Sequence, residues 1–364
     1  MFVAWRDLRF AKGRFALMGS VVLLITLLVG LLSGLTSGLA RENTSAVTGL
    51  PASHLAFAAP GGGRQVSFTD SQVPESAWAA WRARPGVRTA EPVGIRTANA
   101  VSGERTAAVS VFGVESGAGP GSPGPRDIRP APGTVVLTEK AAEQLGGLTA
   151  GATMRIGPLE LEVAGVFGTA AHSHTPVVWA DLLDWQRIGS PGAAPQSVAT
   201  VIALSGDGMD LAAGDAAAGT KAVTVDEALG AIGSYQAENG SLQLMRGFLF
   251  VISALVTGAF FTVWTIQRSG DVAVLKALGA STPYLLKDAL GQAVVMLLAG
   301  TGLGTALALG AGALISGGDV PFQLDAATVL LPAAVMTVLG ALGAALSIRR
   351  ITAVDPLTAL GSAR

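Results

Sequence analysis

Four long stretches of this chain contain no charged residue, and each predicts a membrane-spanning helix. A helix rises 1.5 Å per residue, so about 20 apolar residues cross a hydrocarbon core of about 30 Å. The four runs cover residues 15–40, 247–267, 289–318 and 326–348. The third run is longer than one span needs, so we expect part of it to be a loop. No run has an ionisable residue at its centre, which argues against an ion-coupled transporter.

The first run has a second interpretation, a signal peptide that is removed after export. Such a peptide has an apolar region of about 7–15 residues followed by a cleavage site with small residues. The run here is longer, and Gly30, Gly34 and Gly38 recur along one helical face. Glycines at this spacing let two helices approach closely in lipid. The sequence therefore favours a retained membrane anchor.

Basic residues near the span ends predict the orientation, because Lys and Arg concentrate on the cytoplasmic side. They occur before the first run, between the second and third, and after the fourth, as Arg6, Arg9, Lys12, Arg14, Arg268, Lys276, Lys287, Arg349, Arg350 and Arg364. In the loop between the third and fourth runs, the only charged residues are the acidic Asp319 and Asp325. We therefore expect a multi-pass protein of a bacterial cell (inner or plasma) membrane, with both termini cytoplasmic and a large domain outside.

These signals divide the chain into spans and the segments that connect them. The predicted bounds are 1–14 for a cytoplasmic amphipathic segment, 15–40 for the first span, 41–244 for an extracytoplasmic domain, 245–267 for the second span, 268–288 for a cytoplasmic coupling loop, 289–316 for the third span, 317–325 for a short outer loop, 326–348 for the fourth span and 349–364 for a cytoplasmic tail. We call the block between the first two spans the inter-span domain.

The inter-span domain shows the patterns of both strands and helices. Alternating β-branched positions predict strands in residues 87–114 and at 134–137, and residues 153–167 predict a hairpin that turns at Gly157 and Pro158. Helices are expected over 139–145, after a capping Thr138, and over 226–233, and a strand followed by a short helix over 175–189. The predicted fold class is an α-helical membrane protein with four transmembrane helices and an extracytoplasmic mixed α+β domain.

Composition narrows the possible chemistry. Half of the residues are hydrophobic and 13% are charged, against roughly 25% charged residues in ordinary soluble domains. The chain has no cysteine, and it has no motif of a serine hydrolase, a zinc protease or a nucleotide-binding P-loop. His172 and His174 would share one strand face and could bind a metal or ligand; we favour a polar loop before Thr175. We predict no catalytic site, no metal site and no cofactor bound by this chain.

Two stretches and the order of the segments resemble a known family. Residues 133–169, GTVVLTEKAAEQLGGLTAGATMRIGPLELEVAGVFGT, resemble the periplasmic core domain of MacB-type ABC transporter permeases. Residues 268–290, RSGDVAVLKALGASTPYLLKDAL, resemble the cytoplasmic loop of FtsX-like permeases, and the ending ITAVDPLTALGSAR resembles the tail of that family. The opening RDLRFAKGRFALMG is similar to the HrtB-like permeases of haem exporters. Asp271 departs from the family, which often has the longer Glu there.

The resemblance implies a transport subunit that works with a separate cytoplasmic ABC ATPase dimer, on which ATP and Mg²⁺ would bind. The implied ATPase-coupling residues are Gly270, Asp271, Val274, Leu275, Lys276, Leu278 and Gly279. A helix lying on lipid is the alternative for this amphipathic segment. Four spans are too few to enclose a pathway, so a homodimer is expected. The candidate dimer seam is the face of Gly30, Gly34 and Gly38, with the second span. Membrane lipid is an expected partner, and a net charge of −1 gives no reason to expect nucleic acid.

The same resemblance implies an amphipathic substrate taken from the membrane, for which haem is a candidate. Residues near the outer ends of the first and second spans are the candidate haem contacts, namely Glu42, Tyr235, Glu238 and Met245. Their oxygen and thioether groups can ligate haem iron, and anchoring at the membrane interface is the alternative. A second possible function is a mechanotransmitter that drives an extracytoplasmic partner or lipoprotein release without moving substrate through the helices. A third is an anchored sensor or scaffold without an ATPase.

Overall fold

The chain forms two compact units. The structure, a computed structural model, describes residues 12–116, 130–190, 197–267, 270, 274–275, 278–315, 320–323 and 325–352. The inter-span domain runs from Leu39 to Asn239, and the membrane unit consists of Met1–Gly38 and Gly240–Arg364. The sequence predicts bounds of 41–244 for this domain. Residues 1–11 of the predicted N-terminal segment lie outside the described residues. The same holds for the predicted tail from residue 353 onward.

Helices and strands are numbered in chain order. The helices are α1 (Lys12–Thr48), α2 (Glu75–Arg82), α3 (Glu139–Gln144), α4 (Leu182–Gly189), α5 (Leu211–Ala218), α6 (Val225–Ala228), α7 (Gly233–Gln267), α8 (Thr282–Ile315) and α9 (Ala326–Thr352). The strands are β1 (His54–Ala58), β2 (Val73–Pro74), β3 (Val87–Ser102), β4 (Arg105–Val114), β5 (Thr134–Leu137), β6 (Thr153–Ile156), β7 (Leu159–Val166), β8 (Ala171–His172), β9 (Thr175–Asp181), β10 (Val198–Ala199), β11 (Val201–Gly206) and β12 (Thr220–Thr224).

Four of the described helices are long and apolar enough to cross a membrane. Their apolar parts are Gly19–Thr48, Gly233–Trp264, Pro283–Ile315 and Thr328–Leu346. The predicted four-span architecture is confirmed. However, α1 continues to Thr48 and α7 begins at Gly233, whereas the predicted spans end at residue 40 and begin at residue 245. The uncharged run ends before Arg41, but the helix continues to Thr48, with Ala46 and Val47 buried in the inter-span domain.

The glycine face of α1 packs within its own chain. A Cβ atom at Gly30 would lie 2.9 Å from Ala308 of α8, and one at Gly34 would overlap the ring of Phe322. The carbonyl of Gly34 also accepts a hydrogen bond from the backbone N–H of Gln323 at 3.1 Å, and Gly38 lies against the backbone of Pro321. The close approach expected of these glycines is therefore made to α8 and to the loop before α9. The face predicted as a dimer seam is thus occupied in this structure by the same chain.

The inter-span domain is built on a ten-stranded sheet. Its strand order is β12-β1-β11-β3-β4-β9-β5-β7-β6, with β8 added to β9. The pairs β4–β9 and β5–β7 are parallel. Because β3 also pairs with β6, a ring is closed by β3, β4, β9, β5, β7 and β6. The short strands β2 and β10 form a separate pair.

Side chains alternate between the two faces of this sheet and form two hydrophobic cores. On β4, Val109 and Val111 enter the first core, and Phe112 and Val114 enter the second. This is the period of two that a strand imposes. The first core packs against α2 to α4, with Trp78 and Trp81 of α2 buried in it. The second core holds residues from the end of α1, from the turn before α7 and from the start of α7, among them Val47, Ile232 and Tyr235.

Most local predictions for this domain are confirmed, and two need correction. The hairpin that turns at Gly157 and Pro158 joins β6 to β7, with φ of 55° at Gly157. Thr138 precedes α3 as predicted, but its hydroxyl donates to the carbonyl of Val177 at 2.9 Å and makes no capping bond. The helix predicted over 226–233 is interrupted: α6 ends at Ala228, a 3-10 turn follows, and α7 begins at Gly233.

Candidate functional site

The tight turn between β8 and β9 has an unfavourable backbone conformation. Its two central residues are Ser173, with φ of 49°, and His174, with φ of 62°. Positive φ at both central positions is the pattern of a type I′ hairpin turn, which normally uses Asn or Gly. A side chain in this region is disfavoured by about 1 kcal/mol or more, and such residues concentrate at functional sites. Because the turn intervenes, His172 and His174 do not share a strand face.

His174 lies at the centre of a polar group that we call the His174 cluster: Glu42, Asn43, Lys140, His174, Ser234 and Glu238. Its Nε2 is 2.9 Å from both carboxylate oxygens of Glu238 and 2.9 Å from Nδ2 of Asn43. Its Nδ1 is 3.7 Å from Oε2 of Glu42. The imidazole is thus flanked by two carboxylates that belong to two different helices.

Hydrogen bonds join the other members to the same cluster. Nδ2 of Asn43 donates to Glu238 at 3.0 Å, and the hydroxyl of Ser234 donates to Oδ1 of Asn43 at 2.7 Å. Lys140 of α3 donates to Glu42 at 2.7 Å. The backbone N–H groups of Ser173 and His174 donate to the carbonyls of Asn43 and Glu42, at 3.1 Å and 3.3 Å. These bonds attach the hairpin tip to the end of α1.

The local sequence explains how these side chains converge. Glu42 and Asn43 follow one another on α1, and Asn43 is only 1% exposed. Ser234 and Glu238 are four residues apart on α7, so they lie on one helical face. Each helix therefore contributes one carboxylate and one neutral polar side chain. All members belong to the inter-span domain.

Two of the four predicted haem contacts meet in this cluster. Glu42 and Glu238 share His174, and both carboxylates already have hydrogen-bond partners. Tyr235 instead packs against the second core, and Met245, which belongs to the membrane unit, is 50% exposed. The sequence offers His174 as a possible ligand but favours a polar loop there. It gives no signal for Asn43, Lys140 or Ser234. Among the described residues, no group of three or more His, Asp or Glu side chains could hold a metal ion.

The predicted ATPase-coupling residues, from Gly270 to Gly279, end at a defined helix terminus. Gly279 has φ of 94°, and the N–H of Ala280 donates to the carbonyl of Leu275 at 2.9 Å. This is the six-to-one bond of a Schellman motif, which stops a helix at glycine. Gly270 is also helical, and Val274 and Leu278 are 53% and 79% exposed. Asp271 and Lys276 lie outside the described residues.

Comparison with protein families identifies the chain. The MacB-like periplasmic core domain matches residues 18–220, and the FtsX-like permease C-terminal domain matches residues 244–356. The chain belongs to the MacB-like, FtsX-like family of ABC transporter permeases. The predicted fold class and family are therefore confirmed, and membership of this family implies a partner ATPase.

Individual relatives of the permease match over different lengths. A protein of Staphylococcus haemolyticus named hemin transport system permease HrtB is 40% identical over 130 residues, which are 36% of the permease and 37% of that protein. A protein of the same name from Staphylococcus epidermidis is 33% identical over 146 residues, or 39% and 41% of the two chains. An ABC transporter permease of Mycobacterium tuberculosis is 28% identical over 279 residues, 76% of each chain. The match thus covers less than half of the length of each relative named for hemin transport.

Solved structures include two similar extracytoplasmic domains. The extracellular domain of the noncanonic ABC-type transporter YknZ from Gram-positive bacteria is 15% identical, with a TM-score of 0.34, over 47% of the permease and 98% of that chain. The periplasmic region of MacB from Actinobacillus actinomycetemcomitans is 11% identical, with a TM-score of 0.33, over 50% and 92%. Likeness at these scores carries no argument about function.

Proposed function

We propose that the permease works with a separate ATPase to expel an amphipathic compound from the membrane, and that haem is the compound to test first. The observation that carries this proposal is the His174 cluster, where Glu42 and Glu238 meet at one imidazole. Imidazole is a common ligand of haem iron, and a carboxylate oxygen can also approach the iron. The names of the staphylococcal relatives point to the same substrate.

In this proposal the carboxylates exchange partners during transport. In the present structure Glu42 is held by Lys140 and Glu238 by Asn43 and His174. The side chains of His174, Glu42 and Glu238 are 31%, 24% and 40% exposed, so a substrate can approach them without unfolding the domain. A bound haem would replace one or more of these contacts. Tyr235 and Met245 remain predicted contacts of the same substrate.

The coupling segment would transmit ATPase closure to the permease. Val274 and Leu278 are four residues apart and exposed, and the segment ends at Gly279. Two apolar side chains on one helical face suit a hydrophobic groove on a partner. Leu275 lies between them, and Gly270, Asp271 and Lys276 would complete the contact. A pair of permeases with two ATPase subunits would form the transporter, with both termini on the ATPase side.

A mechanotransmitter is the second candidate function, and one observation favours it. The β8–β9 hairpin is hydrogen-bonded to the end of α1 through Asn43 and to the start of α7 through Ser234 and Glu238. A movement of either helix end would therefore displace the hairpin tip. In that case the inter-span domain would act on an extracytoplasmic partner, and no substrate would pass.

The test measures ATP hydrolysis by the permease, co-expressed with its partner ATPase and purified in lipid nanodiscs, with and without hemin. The exporter function predicts a change in hydrolysis at micromolar hemin together with a shifted Soret band. Glu42→Ala, Glu238→Ala and His174→Ala should each weaken hemin binding, and Glu143→Ala, an exposed carboxylate of α3, serves as the control. Strong hydrolysis without any hemin response would reject haem and support the mechanotransmitter.

A further inference from the structure

A cavity of about 390 Å³ lies in the inter-span domain and borders the His174 cluster, since Ser173 and Gly233 are among its lining residues. Polar side chains that line it include Gln72, Arg96, His172 and Thr200, and aromatic or apolar walls come from Phe68, Trp185 and Ile232. Its volume falls within the range of small-molecule sites, about 300–1,000 Å³. The role proposed above makes no use of this cavity.

Two buried polar atoms on residues that line the cavity have no partner in the described part of the chain. Nδ1 of His172 and Nε1 of Trp185 are both without a hydrogen bond. The two residues are only 6% and 2% exposed. Leaving a buried donor or acceptor unpaired is unfavourable, and such groups are uncommon in folded proteins. Both atoms have less than 1 Å² of accessible surface, so a molecule in the cavity can reach them only if a neighbouring side chain moves.

Packing fixes both rings in place. The imidazole of His172 makes edge contacts with Phe68 and Phe112, each at 5.5 Å between ring centroids. The indole of Trp185 lies against Gly94 and Gly113, which are paired on β3 and β4 and have no side chain to displace it. Neither ring can turn away to find water without disturbing the core.

Arg96 supplies the charge of the cavity. Its guanidinium lies 4.5 Å from the centre of the Trp185 ring. Among the described residues it has no carboxylate partner and no hydrogen bond, and no acidic side chain lines the cavity. Burial lowers the pKa of Arg96 from its ordinary value, and burial lowers the pKa of His172 to about 4, which leaves that imidazole neutral at pH 7. The cavity thus carries a positive charge without a counter-charge.

We propose that this cavity binds a small organic carboxylate with an apolar body. The carboxylate would pair with the planar guanidinium of Arg96, which matches its two oxygens. Movement of a neighbouring side chain would open the Trp185 N–H and the neutral His172 ring for the remaining hydrogen bonds. The apolar body would lie against Phe68 and Ile232. This proposal is independent of the transported substrate and of the ATPase.

The test uses benzoate as the probe and benzamide, which has the same shape without the charge, as its control ligand. Binding to the full permease in nanodiscs is measured by saturation-transfer NMR and calorimetry. Arg96→Gln should weaken benzoate binding by at least roughly tenfold, the effect of one lost charged hydrogen bond. Arg88→Gln is the matched control, because Arg88 lies on the same strand and pairs with Asp207 at the surface.

A second variant guards against misfolding of Arg96→Gln. His172→Phe keeps the ring contacts and removes Nδ1, so it should weaken benzoate binding several-fold while thermal stability is kept or raised. Saturable binding of benzoate but not benzamide, lost in Arg96→Gln and kept in Arg88→Gln, would support the site. Absence of saturable benzoate binding would overturn the proposal. So would an affinity for benzoate in Arg96→Gln and His172→Phe equal to that of the unchanged permease. A missing hemin response would reject haem as the transported compound and leave this result unchanged.

Discussion

Nε2 of His174 lies 2.9 Å from each carboxylate oxygen of Glu238. The contact joins the tip of the β8–β9 hairpin to the start of α7, and it is made by a residue with φ of 62°. A glycine would adopt this backbone more readily. The histidine at this position therefore makes its side-chain contacts in spite of an unfavourable backbone.

The first prediction separates these two effects of His174. His174→Ala and His174→Gly both remove the imidazole, but only glycine tolerates the left-handed conformation. We expect His174→Gly to be more stable than His174→Ala by about 1 kcal/mol. The measurement is the thermal unfolding of the two variants in the full chain. Equal stability would mean that the turn relaxes to another conformation when the imidazole is absent.

The second prediction concerns the glycines that leave space for the side chain of Trp185. A methyl group at Gly94 would overlap the indole ring, so Gly94→Ala should reduce the free energy of unfolding by about 1–3 kcal/mol. Gly230→Ala is the control, because a Cβ there meets no atom within 4 Å. Chemical unfolding followed by circular dichroism measures both. An unchanged Gly94→Ala would show that Trp185 can move without loss.

The third prediction is a pH dependence that comes from His172. Burial lowers its pKa to about 4 in the folded chain, and an unfolded histidine has a pKa near 6.5. Between these values the unfolded state binds a proton that the folded state does not, so stability falls as the pH falls. The contribution of neutral His172 to the free energy of unfolding is complete above about pH 6.5. Roughly 3 kcal/mol of that free energy is lost by pH 4.

His172→Phe provides the comparison for this pH effect. The phenyl ring keeps the contacts with Phe68 and Phe112 and cannot take up a proton. All other titrating groups are common to both proteins, so they cancel in the difference between the two unfolding free energies. That difference should shift in favour of the variant as the pH is lowered from 7 to 4. Parallel stability curves would show that His172 is not the group responsible.

Elements set by local patterns could be predicted from the sequence. The β6–β7 hairpin follows from Gly157 and Pro158. Asp181 caps the start of α4, because its side chain accepts a hydrogen bond from the N–H of Leu183 at 2.9 Å. These signals involve residues within two or three positions of each other. The spans were equally clear, because lipid imposes a length of apolar sequence that needs no tertiary partner.

The His174 cluster could not be predicted in the same way. Asn43 and His174 are 131 positions apart, and Asn43 and Glu238 are 195 apart. Only the tertiary fold brings them together. Gly30, Gly34 and Gly38 show the same limit, since their spacing predicts a close helix contact but does not say which helix is the partner. In the structure Gly30 meets Ala308 of the same chain.

The last prediction tests the coupling segment of the permease. Val274 and Leu278 are exposed apolar residues on one helical turn that ends at Gly279. If they enter a groove on the ATPase, a charge at either position would have to be buried without a partner, which is strongly unfavourable. Val274→Asp and Leu278→Asp should therefore reduce the affinity for the ATPase by at least roughly tenfold, as expected for residues at the centre of an interface. Pull-down and ATP hydrolysis in nanodiscs measure this.

Ser281→Asp is the matched control for that experiment, because it adds the same charge three residues beyond Leu278. Ser281 is exposed and precedes α8, where its carbonyl accepts from the N–H of Leu285 at 3.2 Å. Aspartate is as favourable as serine at the start of a helix, so the fold should not change. Loss of ATPase binding in all three variants would indicate a general charge effect. Loss in Val274→Asp and Leu278→Asp alone would assign the contact to the apolar face, and retention in both would indicate that this face lies on lipid.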